Sequence, residues 1–174
     1  MNAQQPTMSP LDIIVLLKII SLGDKPWTQL TLAEELFMSQ SEISKSIARS
    51  RYASLIDPSG KKVRKLSLYE FLKFGISYAF PQQPGAVVRG IPTAHSALPL
   101  NQIIQSNEQY VWASGKGNVR GQKIVPLYPS VIYAVQLDSR LHELLALVDA
   151  LRVGKAREKE IASIELKKRI LDEE

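Results

Sequence analysis

Two helix-start signals only eight residues apart constrain this chain more than any other feature. Thr31-Leu32-Ala33-Glu34 and Ser39-Gln40-Ser41-Glu42 each place a glutamate three positions after a hydroxyl residue. At that spacing the hydroxyl takes a backbone amide of the first turn, and the glutamate reaches back to the cap's own amide. The two helices must then be joined by about three residues, a helix-turn-helix written in punctuation alone.

The flanking text is punctuated as clearly. Ser9-Pro10-Leu11-Asp12 offers a cap, a proline at the first helical position and an acid in the first turn. The helix it opens should run to about Leu22 and stop at Gly23, and it is apolar on most sides, as a central buried helix is. The helix opened by Ser39 should end near Ala53. Ser54-Leu55-Ile56 and Val63-Arg64-Lys65-Leu66 then read as short strands around Asp57-Pro58-Ser59-Gly60-Lys61-Lys62, a turn with lysines at its tip. Ser67-Leu68-Tyr69-Glu70 is a third cap signal, opening a helix to about Tyr78.

Residues 79–128 change character. Prolines recur, and Val88-Arg89-Gly90 returns as Val119-Arg120-Gly121. Tyr110-Val111-Trp112 and Ile124-Val125 read as strands around a Gly115-Lys116-Gly117-Asn118 turn, with a helical turn or two over Leu100 to Gln105. From Asp138 the chain is helical again. Leu141, Leu144, Leu145, Val148 and Leu151 form an apolar stripe, and beyond Gly154 a charge-rich stretch keeps Ile161, Ile164 and Ile170 as a thin seam.

Composition bears on partners. The absence of cysteine excludes disulfides, thiolate metal sites and cysteine nucleophiles. The longest apolar stretch, Leu11 to Leu22, contains Asp12 and Lys18 and falls short of the roughly 20 residues of a membrane span. The first ten residues carry no basic side chain, which argues against a signal peptide. The expectation is a cytoplasmic protein with no membrane partner. The net charge of +5 is localised: residues 38–78 carry eight Lys and Arg against three acids, while residues 1–37 are net negative. A localised basic face is the electrostatic footprint of nucleic-acid binding.

Residues 31–50 resemble the helix-turn-helix of phage repressors and Cro proteins, and of many bacterial regulators. Ala33 stands where the first helix needs a small residue, Leu36 and Met38 flank the turn, and Ile43 and Ile47 form the buried face of the second helix. Phe37 occupies the turn position usually held by glycine, which is favoured there because the backbone often takes positive φ. Winged-helix regulators often lack that glycine, so the departure points to the winged type, and the lysine-tipped hairpin would be the wing. The resemblance implies that Ser39, Gln40, Ser41, Ser44, Lys45 and Arg49 face outward on a helix read into the DNA major groove. Gln40 suits adenine, Lys45 suits guanine or a phosphate, and Ser41 and Ser44 are short donors. Arg49, Arg51, Lys61, Lys62 and Arg64 would hold phosphates.

Residues 78–95 and 143–160 also look like a group of bacterial proteins described only as winged-helix regulators. The matching text is Tyr78-Ala79-Phe80-Pro81, Val88 to Ala94, and Leu144 to Lys155. That resemblance implies a family-specific C-terminal module and no ligand.

The expected fold is therefore α+β: an N-terminal winged helix-turn-helix over 1–78, an irregular proline-containing mixed segment over 79–137, and C-terminal helices over 138–174. No enzyme is expected. His95 and His142 lack metal-ligand spacing, with His142 read as a surface residue, and adjacent His95 and Ser96 diverge rather than form a catalytic pair. Gly115-Lys116-Gly117 lacks the phosphate-loop spacing. No catalytic residue, metal or cofactor is assigned. Arg89 and Arg120 are candidates for an acidic ligand or partner, each read as leaving a strand at a bend. The function expected is sequence-specific binding of double-stranded DNA by a bacterial transcription regulator, a repressor acting as a homodimer. Its candidate dimer surfaces are the stripe at 141–151 and the seam at 161–170. Two alternatives stand beside it: an antitoxin-like regulator whose residues 79–174 wrap a protein partner, and a winged-helix interaction module that binds no DNA.

Overall fold

A helix that is apolar on most faces needs cover on most faces. The computed structural model describes residues 5–172. In it α1 (Pro10–Leu22) is buried continuously from Leu11 to Ile20. Asp12 closes its start by accepting the Ser9 N–H at 2.8 Å. Gly23, at φ +60°, ends it. α2 (Gln29–Leu36) and α3 (Gln40–Tyr52) pack against it from one side.

The α2 start lies earlier than expected. Thr28 is the cap: its backbone N–H donates to the Thr31 hydroxyl at 2.8 Å and the Thr31 N–H donates to the Thr28 hydroxyl at 3.1 Å, so the Thr31–Glu34 box does not form. The α3 start is where expected, with Ser39 accepting the Glu42 N–H at 3.1 Å. Phe37 at the joint has φ 56° and ψ 45°, the left-handed conformation that ordinarily favours glycine.

The two strands expected after α3 contract to a single antiparallel bridge, Ile56 to Val63. The contraction has a cause at its far end: α4 (Lys65–Phe74) begins two residues before Ser67, with Arg64 at its cap and no side-chain cap bond. α5 (Ile76–Ala79) follows at once.

β1 (Val87–Pro92), β2 (Tyr110–Ala113) and β3 (Val119–Lys123) form the sheet. β1 is antiparallel to both others, and β2 meets β3 in parallel, so the three strands close on themselves. The third strand is thus Val119–Lys123, not the expected Ile124-Val125. The sequence repeat pairs with itself here: Val88 opposes Gly121, Arg89 opposes Arg120, and Gly90 opposes Val119. Its glycines are steric requirements. A Cβ on Gly90 would strike the Trp112 carbonyl, and one on Gly121 the Gln109 carbonyl.

α6 (Val131–Ala134) leads into α7 (Ser139–Val153) and α8 (Ala156–Ile170). Asp138 caps α7, accepting the Leu141 N–H at 2.9 Å. The stripe expected to be a dimer surface is an interior surface. Leu141, Leu144, Leu145, Val148 and Leu151 are all buried within the chain, because α7 packs between α1 and α8. The seam expected on α8 divides: Ile170 is buried, Ile161 is half-buried and Ile164 stays exposed at 48%, while the helix buries Ala162 and Leu166 beside Ile170. The two helices fold back as a hairpin at Gly154, where a Cβ would collide with the Ala150 carbonyl. An Arg169–Glu143 ion pair of 3.2 Å ties the far ends together. One cluster of buried apolar residues runs from Leu11 to Ile170 and draws on all three expected spans of the chain.

The short motifs in 78–95 and 143–160 meet in one buried hub. Thr93 Oγ1 and Trp112 Nε1 each donate to Asp149 Oδ2 at 2.7 Å. Arg152 donates to Asp149 Oδ1 at 2.9 Å and to the Phe80 carbonyl at 2.9 Å. The segment 79–128 is therefore folded onto α7, not extended for wrapping. No helix among the described residues is long and apolar enough to cross a membrane.

Candidate nucleic-acid interface

α3 divides cleanly by face. Ile43, Ser46, Ile47 and Ser50 are buried. Gln40, Ser41, Ser44, Lys45, Ala48, Arg51 and Tyr52 are exposed. At 3.6 residues per turn those seven fall on one side of the helix. None is acidic, and two are cations. Glu42, the only acid on the helix, is turned away to accept a 2.6 Å bond from the Tyr128 hydroxyl, a bond that raises the tyrosine pKa.

Arg49 departs from the expected arrangement. Its Nε and Nη2 hold the Asp12 carboxylate at 2.9 and 2.8 Å. The carboxylate lies wholly inside α1's buried face, so its charge requires a partner, and Arg49 on the edge of α3 supplies it. Arg49 is thus placed as an inter-helix tie, half-buried and not turned freely outward as expected.

The hairpin after α3 is rigid at its base. Asp57 accepts hydrogen bonds from the amides of Lys62 and Lys61 at 3.1 and 3.0 Å and from the Ser59 hydroxyl at 2.8 Å. Those bonds, that of the Lys62 amide foremost, push its pKa down to about 2. Gly60 takes φ +73°, and the Arg51 guanidinium lies so close above it that a Cβ there would be in contact. Lys61 is drawn over the Trp27 ring, 4.8 Å from its centroid. Lys62 and Arg64 are exposed. The α3 face and the hairpin are thus adjoining basic surfaces, joined through Arg51.

Three contacts from residues far along the chain have no local signal in the sequence. Ser130 Oγ donates to the Leu36 carbonyl at 2.7 Å, satisfying the C-terminal end of α2. The Tyr133 ring meets Phe37 at 5.8 Å between centroids, which gives the left-handed Phe37 a partner although it is 51% exposed. With Tyr128 on Glu42, these contacts clamp the α2–α3 corner from the C-terminal half. Both hydrogen bonds span more than 80 residues, beyond the reach of any spacing rule.

Lys18 and Asp138 make a second long-range tie. Burial opposes the charge on Lys18, but its bonds to Asp138 at 2.8 Å and Glu35 at 3.0 Å prevail and raise its pKa. Burial likewise opposes ionisation of Asp138, while Lys18, the Leu141 amide and Ser21 hold its pKa below the ordinary value. The depressed carboxyl contributes stability above its unfolded-state pKa and loses it as pH falls through the folded value. The raised lysine contributes below the ordinary lysine pKa and loses only at strongly alkaline pH. Asp138→Asn keeps a capping oxygen and removes the charge. It should lower stability at neutral pH and make the further loss on acidification shallower, read from urea unfolding at several pH values. Parallel pH profiles for both proteins would refute the role given to this pair.

His95 is an interior group and His142 is half-buried. His95 is buried with Nε2 on the Glu108 carbonyl at 2.7 Å and Nδ1 3.5 Å from Glu158. His142, expected at the surface, instead holds the Pro92 carbonyl at 2.8 Å, its ring 5.3 Å from Trp112, because α7 turns that face to the sheet. Arg89 and Arg120 do not leave their strands. They sit directly opposite each other within β1 and β3, both exposed. No family model, curated protein or solved structure matches the chain.

Proposed function

We propose that the chain binds double-stranded DNA as a winged helix-turn-helix regulator of transcription, with α3 as the reading helix and the Ile56–Val63 hairpin as its wing. The observation that carries this reading is the exposed face of α3. It is free of acid, carries Gln40, two serines and Lys45, and adjoins a basic hairpin. A helix that merely packed would have no reason to leave its one acid turned onto Tyr128. The N-terminal residues of such a helix meet base edges, and the flanking cations meet phosphates. A second copy on a two-fold site belongs to the proposal, since one such unit makes too few contacts for tight specific binding. The α7 stripe, buried within the chain, is not its interface.

Binding to a duplex selected from a random pool, set against an unselected duplex, tests the reading. Gln40→Ala and Lys45→Ala should each weaken the selected complex by about 1–3 kcal/mol with little effect on the unselected one. Lys62→Ala and Arg64→Ala should weaken both alike and flatten the salt dependence by about one unit of slope for each phosphate that is no longer neutralised. Retention of the duplex unaltered by all four substitutions would refute the assignment.

A further inference from the structure

Behind the hairpin, among the described residues, lies a cleft with a volume of about 910 Å³. That volume matches pockets that hold small organic ligands, roughly 300–1,000 Å³. The floor is apolar, made by Ile20 and Leu22 at the end of α1, by Val63, and by the half-buried Trp27. The rim is cationic: Lys25, Lys61, Lys62 and Lys65 are all exposed around it. Arg140 stands at the wall, its Nη1 donating to the Ser21 carbonyl at 3.2 Å. Asp24 is the only acid among the lining residues.

Like charges gathered around one opening repel one another in the empty protein and favour an anion that sits among them. An inorganic anion would use the rim and leave the floor wet. A neutral apolar molecule would use the floor and leave the rim lysines uncompensated. From the two together we infer that the cleft binds an amphipathic organic anion, a carboxylate or phosphate ester carried on an aromatic body. The body lies on Val63 and Trp27, and the charged head meets the lysines. Lys61 already rests on the Trp27 ring, which places its ammonium where floor and rim meet.

Ligand binding in the cleft is tested on the protein alone, without DNA. Lys25 and Lys65 line the cleft and lie outside the proposed DNA contacts, so their variants probe only the cleft. The probe is 2-naphthoate, followed by calorimetry and by quenching of tryptophan fluorescence, with 2-naphthol and inorganic phosphate as the comparison arms. Saturable binding of 2-naphthoate is expected, with 2-naphthol and phosphate each at least about tenfold weaker, a difference of about 1.4 kcal/mol. Lys25→Ala with Lys65→Ala should weaken 2-naphthoate by a similar factor, and Trp27→Phe should abolish the quenching while circular dichroism stays unchanged. Absence of saturable binding would overturn the inference. So would 2-naphthol binding as tightly, which would reduce the cleft to an apolar slot. Inorganic phosphate binding as tightly would also overturn it, reducing the cleft to a bare anion seat. A protein that binds 2-naphthoate but no duplex would refute the DNA reading and leave this one standing.

Discussion

Replacing Asp149 with alanine is expected to remove about 3–5 kcal/mol of stability, the range found when one partner of a buried ion pair is deleted. The carboxylate is 2% exposed and satisfies three donors, from Thr93, Trp112 and Arg152. Its loss strands the Arg152 guanidinium, itself buried and left with the Phe80 and Val125 carbonyls, which carry no charge to answer its own. The stranded charge and the two neutral donors left without an acceptor both contribute to that loss. Against a total of about 5–15 kcal/mol for an ordinary domain, a large fraction of the protein should unfold at moderate temperature. Urea unfolding by circular dichroism measures it. The companion experiment is Asp149→Ala with Arg152→Met. Removing both charges should recover much of the loss, since an apolar pair often matches a buried ionic one. An unchanged unfolding midpoint for Asp149→Ala alone would mean that the hub carries no stability.

The second large effect is expected at Asp12. Its carboxylate is fully buried and takes both Arg49 nitrogens together with the Ser9 amide. Asp12→Asn cannot hold the guanidinium in the same two-point grip, and it should lose about 3 kcal/mol. The loss should fall below that at Asp149, because Arg49 keeps 23% of its side chain in water and can recover some hydration. Arg49→Ala should be similarly harmful, and the two together should lose less than the sum, the mark of a direct pair in a double-mutant cycle. Duplex retention by Arg49→Ala separates tie from contact. As a tie, Arg49 leaves the salt slope of the folded variant unaltered. A variant of full stability with a slope reduced by about one unit would return Arg49 to the phosphate-contacting group.

These two residues mark what is legible in the sequence and what is not. Ser9, Ser39 and Gly23 bound helices because their work is done within a few residues of themselves, so spacing alone exposes them. Thr28 is hidden behind Thr31 because a threonine takes the place where the capping rule looks for glutamate. Arg49 reads as outward because its partner lies 37 positions away. Val-Arg-Gly is visible as a repeat, but its register against itself is not, since strand pairing depends on a closure that no single strand encodes. The apolar stripes at 141–151 and 161–170 announce surfaces that need cover. What covers the first is the chain itself, and that turns on how sharply the backbone can fold at Gly154, whereas the second keeps Ile164 exposed.

The cover over α1 also bears on how the protein comes into being. A nascent chain that has emerged through residue 78 already holds the whole proposed reading surface. It does not yet hold α7, which shields part of α1, or Asp138, the partner that Lys18 meets 120 residues downstream. Until then part of the apolar surface of α1 lies open near the N-terminal end of the emerging chain, a surface of the kind that chaperones hold and aggregates exploit. The part of the chain made first is therefore the last to be fully covered. A gene fragment cut after residue 78 would yield a sticky intermediate in place of a miniature regulator.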